Sequence, residues 1–194
     1  MDTNRKHSGF IKIKRTVTLI LFAGLFLPAA AQDTTAPDIP VDEITGQIIY
    51  QEVVPEEGTK RELFNRASEW LHQFFANPVY VTKVRDASSG VIKGKHQFEL
   101  EYTDDDGNIR KGAMIIYDFR IECRDGRYRY TIDNLLRKQA SRYPLERWLD
   151  KTDPYYNPQW EAYLEQVDHY IRNDFAASLK EAMEPEPVIE EEEW

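Results

Sequence analysis

The stretch IIYDFRIECRDGRYRYTI, residues 115–132, decides the fold. Ile115, Tyr117, Phe119, Ile121 and Cys123 alternate with Ile116, Asp118, Arg120, Glu122 and Arg124, the two-residue period of a strand with one wet face. Asp125-Gly126 follows, a dipeptide selected by type I′ turns because both central residues take positive φ. A two-residue loop fixes the register, with Arg124 opposite Arg127, Cys123 opposite Tyr128 and Glu122 opposite Arg129. Cys123 and Tyr128 then share the apolar face with Tyr130 and Ile132, while Glu122 and Arg129 share the polar one. An antiparallel sheet solvated on one side follows.

Moving outward, Ile92, Gly94, His96, Phe98, Leu100 and Tyr102 alternate with Lys93, Lys95, Gln97, Glu99 and Glu101, predicting a second strand of the same kind. Val79 to Asp86 predicts a strand before it, with residues 86–90 as the turn. Ile44 to Val54 predicts another, closed by Pro55-Glu56-Glu57-Gly58. Between these two, Thr59 and Glu62 form a capping-box pattern, and Leu63, Ala67, Trp70, Leu71 and Phe74 fall on one helical face until Asn77-Pro78 stops the helix. After the hairpin, Pro144 to Leu149 predicts a short helical turn carrying Trp148. Asn157-Pro158 then offers an N-cap followed by proline at the first helical position. Trp160, Leu164, Val167, Ile171, Phe175 and Leu179 recur at three- and four-residue spacing, predicting a helix of about 25 residues. The expected fold class is α+β: two layers, with a mainly antiparallel five-stranded sheet and two helices on one face, in the order β-α-β-β-β-β-α.

The ends of the chain read differently. Arg5, Lys6, Lys12, Lys14 and Arg15 precede an apolar run from Val17 to Leu27, followed by Pro28 and Ala29-Ala30-Ala31. Those are the three parts of a secretory signal peptide, expected to be cleaved after Ala31. The run has 11 residues, short of the roughly 18 that a membrane span needs. Without the five basic residues and one acid of this segment, the chain holds 20 Lys and Arg against 33 Asp and Glu, a formal net charge of −13. That charge excludes nucleic acid and anionic lipid as expected partners, and no later segment is apolar enough for membrane insertion of the mature chain. Residues 32–42, with Pro37 and Pro40, are expected to be a flexible linker. Residues 43–183 are expected to be one domain and 184–194 a disordered acidic tail. Cys123 is the only cysteine, which excludes an internal disulfide framework.

The exported N-terminus, this element order, the helix ending at Asn77-Pro78 and the terminal Ser178-Leu179-Lys180-Glu181-Ala182-Met183 together resemble a known bacterial family. It is domain-of-unknown-function family 4468, described as having a fold like one half of the TATA-box-binding protein. The resemblance covers roughly residues 44–183. It implies that fold and carries no assigned activity or site residues. It does not imply DNA binding, because fold and function separate readily.

Chemical constellations are sparse. His96 falls on the apolar side of its strand and Glu99 on the other, which favours a satisfied core histidine over a paired His–Glu site. His72 and His169 sit on different helices and no HExxH pattern exists, so no metal or other cofactor is expected. Asp104-Asp105-Asp106-Gly107-Asn108 invites a calcium reading. An EF-hand loop starting at Asp104 would need glycine and glutamate where Ile109 and Ile115 stand, so a solvated hairpin turn is expected instead. None of the six serines lies in a GxSxG elbow, and a Cys123 thiol facing the core is a poor nucleophile. Trp148, Tyr155, Tyr156 and Trp160 could offer an aromatic platform for sugar; the expected role is to seal one end of the core.

What remains is the wet sheet face, where Lys93, Lys95, Glu99, Arg120, Glu122 and Arg129 mix both charge signs. Such a face is either a solvated, salt-bridged surface or a docking surface for a protein or peptide. The functional expectation is an exported, non-catalytic binding or assembly module of the cell envelope, periplasmic or extracellular, docking through this face or a strand edge. The alternative is an envelope-polymer hydrolase, whose two carboxyls would have to lie about 5 Å apart in a cleft.

Overall fold

The structure, a computed structural model, is described for residues 38–185 of the 194. The signal-peptide reading of residues 1–31, most of the linker and most of the acidic tail lie outside the described residues. In chain order the elements are β1 (Tyr50–Pro55), α1 (Lys60–Phe74), the single turn α2 (Pro78–Val81), β2 (Thr82–Asp86), β3 (Val91–Thr103), β4 (Ile109–Arg124), β5 (Arg127–Arg137) and β6 (Tyr143–Pro144). A 3₁₀ turn (Leu145–Leu149), α3 (Gln159–His169), a π-helical segment (Tyr170–Ala176) and α4 (Ala177–Met183) complete them. The strands pair antiparallel in the order β1-β5-β4-β3-β2, and the two-residue β6 pairs with β5.

The central hairpin has the register its turn demands: Arg124 opposes Arg127, Cys123 opposes Tyr128 and Glu122 opposes Arg129. Every expected core residue of β4 and β5, from Ile115 to Ile132, is buried. The turn also ties the layers together. Asp125 Oδ1 accepts a hydrogen bond from the Lys60 backbone N–H at 2.7 Å, so a hairpin side chain satisfies one orphan donor in the first turn of α1. Thr59 and Glu62 close the expected capping box beside it.

Three local expectations are corrected. Residues 43–45 turn rather than extend, because Asp42 Oδ1 accepts from the N–H groups of Ile44 and Thr45 and Gly46 takes a φ of 69°. Val41 then pairs with Ile48, and Ile39 packs on the core, so the chain is engaged from the end of the stretch read as a linker. Asn77-Pro78 ends α1 and also starts α2: the Asn77 side chain accepts from the Tyr80 N–H, and proline suits the first helical position. The strand expected from Val79 therefore begins only at Thr82.

The C-terminal helix spans the expected length but is not uniform. Val167, Ile171, Phe175, Leu179 and Met183 are all buried, each four residues from the last. An α-helix advances such a step by about 40°, so the stripe would swing off the sheet within a few steps. The π-helical segment, with wider i→i+5 bonds, takes up the excess and keeps the stripe on the core. Trp70 of α1 packs between Phe74, Phe75 and Phe175, with ring centroids 4.9–5.6 Å apart. Its indole N–H donates to Ser178 Oγ at 3.1 Å. Both long helices cover the same sheet face. Among the described residues, no helix is long and apolar enough to cross a membrane.

Candidate functional site

The opposite sheet face carries no helix among the described residues, and strand register decides who stands beside whom. Lys93 lies opposite Arg120, Lys95 opposite Asp118, and Glu122 opposite Arg129. Lys95 and Asp118 form an ion pair at 3.0 Å, and Lys111 reaches Glu99 at 2.8 Å past the bulge between Glu99 and Glu101. Arg129 donates to Glu122 through Nε at 2.9 Å and again through Nη2. So four of the six residues read from the sequence are engaged in pairs. Lys93 and Arg120 form no ion pair among the described residues, and neither do Arg124 and Arg127 at the turn.

The face is therefore divided rather than mixed. At the Asp125-Gly126 end, Lys93, Arg120, Arg124, Arg127 and Arg129 surround the single carboxylate of Glu122. The exposed Val53 flanks them on β1 and Val84 on β2. Val53, Glu122, Arg124, Arg127 and Arg129 line a shallow depression of about 210 Å³. Toward the other end lie Glu99, Asp118 and Asp133, and burial first, then the nearby Asp118 charge, push the Asp133 carboxyl above the usual carboxylate range.

A bulge shapes this second half. The register slips between Ile116 and Asp118 on β4, and Asn134 on β5 takes a φ of 51°, the left-handed conformation that asparagine tolerates. Asn134 donates to Asp118 Oδ2 at 2.7 Å and accepts from Arg142 at 3.1 Å, extending the Lys95–Asp118 pair into a four-residue chain.

The helical side holds a polar cluster that the sequence reading missed. Tyr50 donates to Asp168 Oδ1 at 3.0 Å and Tyr130 to Glu52 Oε2 at 2.7 Å. Arg172 pairs with Asp168 at 2.7 Å and Lys180 with Glu52 at 2.7 Å. Only the helical i,i+4 spacing of Asp168 and Arg172 is a sequence signal here; the other contacts join residues 78 to 128 positions apart. Hydrogen bonds from Lys180 and Tyr130 hold the Glu52 carboxyl below its ordinary range, and burial pushes both phenols up. The Glu52 carboxylate is thus held ionised against a cation, the opposite of what a general acid requires.

The remaining sequence candidates are placed as follows. His96 is half-buried against Phe75 and Tyr117, and burial pushes its pKa below 6.5. Burial pushes the Cys123 thiol up to about 12. Asp104 closes the β3–β4 turn by accepting from the backbone N–H groups of Asp106 and Asn108 and from Arg110. Trp148 and Trp160 stack at 6.1 Å with Tyr156 edge-on, sealing the core end as expected. Tyr155 does not join them and is 78% exposed. Among the described residues, no three His, Cys, Asp or Glu side chains converge on a possible metal position.

Comparison with known proteins bears on the fold. None of the curated proteins matches the chain in sequence. A TBP-like protein from Parabacteroides distasonis superposes with a TM-score of 0.61 at 19% identity, over 76% of this chain and 99% of that one. A DUF4468 family protein from Bacteroides ovatus gives 0.59 at 12% identity, over 77% of this chain and 93% of that one. At such identities the likeness concerns the fold alone. Residues 39–137, from the segment before β1 through the end of β5, match the family described as a domain of unknown function (DUF4468) with TBP-like fold, and the chain belongs to that family.

Proposed function

We propose that this domain is an exported, non-catalytic binding module of the cell envelope that docks an acidic segment of a protein or peptide on its open sheet face. The observation that carries the reading is the segregation of charge on that face. Four of the five basic side chains at the hairpin end (Lys93, Arg120, Arg124 and Arg127) form no ion pair among the described residues, in a chain of net charge −9, although Arg120 stands near enough to Asp133 to favour its ionised form. A surface that served only solubility would intersperse its signs, whereas a single-sign patch beside exposed Val53 and Val84 suits an extended acidic ligand with apolar residues. The pairs at the other end, Lys95 with Asp118 and Lys111 with Glu99, favour one orientation of that ligand by offering a different charge pattern.

The test is capture from envelope extracts in parallel with titration of acidic and basic peptides of equal length. Reversal of Arg120 and Arg124 to glutamate is expected to abolish both capture and acidic-peptide binding while the domain stays folded. Turnover of an envelope polymer by the wild-type protein, or undiminished binding by the reversed variant, would overturn the reading.

A further inference from the structure

We infer that the acidic C-terminal segment, residues 186–194, folds back onto the basic hairpin end of the open sheet face and occupies it in the absence of another ligand. The inference rests on the docking reading above and names a built-in competitor for that surface.

The point of departure places the segment close to the patch. Arg66 Nη1 donates at 2.8 Å to the backbone oxygen of Met183, the last residue of α4, and at 2.8 Å to that of Glu57. Glu57 belongs to the loop that pairs with the hairpin turn: Glu56 N–H donates to Gly126 O at 3.1 Å and Gly126 N–H to Gly58 O at 2.9 Å. The chain thus leaves α4 at the end of the molecule where Arg124 and Arg127 stand. From Glu184 to Trp194 an extended chain spans about 33 Å. Crossing a layer of about 10 Å and running about 13 Å along the strands to the Lys93–Arg120 row lies within that reach.

The chemistry is complementary in number as well as sign. Residues 186–194 read Glu-Pro-Val-Ile-Glu-Glu-Glu-Glu-Trp, with five glutamates and no basic residue. Facing them would be Lys93, Arg120, Arg124, Arg127 and Arg129, five cations around one carboxylate. Val188, Ile189 and Trp194 supply apolar groups for the rows that end in exposed Val53 and Val84. Pro185 and Pro187 favour an extended chain, which lays alternate side chains on a flat sheet face.

Backbone amide NMR on the full chain tests this with no external partner present. At about 0.01 M salt, where the screening length is about 30 Å, replacing Glu190, Glu191, Glu192 and Glu193 together by glutamine is expected to shift the amides of Arg124, Gly126, Arg127 and Arg129. Those of Lys95, Lys111 and Asp118 should stay in place. About 1 M salt, where the screening length falls to about 3 Å, should produce the same shifts in the unaltered chain. Arg124→Glu with Arg127→Glu should in turn move the amides of residues 190–193. Hairpin-end amides that ignore the glutamate replacement overturn the inference. So do shifts that disappear on dilution, because the occupant is then a neighbouring copy. Partner docking is read separately by peptide titration of the glutamine variant, so either idea can fail without the other.

Discussion

The hydroxyls of Tyr117 and Tyr170 meet at 2.9 Å, joining the middle of the central strand to the first residue of the π-helical segment. The Tyr117 hydroxyl also lies 3.4 Å from His96 Nδ1, and the Tyr170 ring stacks on Phe98 at 3.9 Å. Burial dominates both phenols and pushes their pKa values up, so each stays a neutral donor and acceptor across the working range of pH. Tyr117→Phe is expected to cost about 1–3 kcal/mol, because it leaves the Tyr170 hydroxyl half-buried without its partner. The double replacement with Tyr170→Phe should cost less than the sum of the two single ones. Urea unfolding of the four proteins measures that coupling, and strict additivity would show that the two hydroxyls do not interact.

The π-helical segment sets the phase of the last helix. Inserting one alanine after Asn173, which is exposed, would turn Phe175, Leu179 and Met183 by about a further 100° relative to Ile171, an excess that the already widened turns do not absorb. Three fully or nearly fully buried side chains would then leave their sites, at a cost of several kcal/mol by the usual value for core truncations. Asn173→Ala removes the side chain and keeps the phase, and should stay within about 0.5 kcal/mol of wild type. Equal melting temperatures for the insertion and the substitution would refute this account.

His96 makes stability depend on pH. Its folded pKa lies below the ordinary 6.5 because burial disfavours the charged ring. The unfolded chain therefore takes up a proton first as pH falls. The contribution of neutral His96 is complete above pH 6.5 and declines as pH drops through and below that value. His96→Phe, which keeps an aromatic ring beside Phe75 and Tyr117, should flatten this part of the profile between roughly pH 7 and 5. Chemical denaturation at several pH values provides the comparison.

Gly94 is where two strands and an aromatic ring come too close for a side chain. A Cβ there would overlap the Cζ and Cε1 edge of the Phe119 ring and lie 2.9 Å from the Val81 backbone oxygen. Gly94→Ala should destabilise by about 1–3 kcal/mol through overpacking. Pairing it with Phe119→Leu should recover part of that loss if the ring is the obstacle.

Much of this architecture is local in origin and legible in the residues. The strand period of Ile115–Cys123, the Asp125-Gly126 turn and the Thr59–Glu62 box each depend on neighbours a few positions away. Register, capping and helix start therefore follow from conformational preference alone. All six residues assigned to the wet face belong to one set for the same reason, since alternation along a strand has only two outcomes. Which of them keep free charge was decided elsewhere. The β3–β4 register, beyond the reach of the Asp125-Gly126 turn, set Lys93 against Arg120, and the bulge at Asn134 brought Asn134 against Asp118 and, through it, Arg142. The π-helical segment, the Tyr117–Tyr170 contact and the Glu52–Lys180 pair likewise bring together residues distant in the chain. They arise only when helix and sheet pack, because burying an apolar stripe against a fixed surface stabilises a backbone that local preference would not select. Local sequence determined the elements and their faces; packing decided the neighbours, and with them the charge that the open face presents.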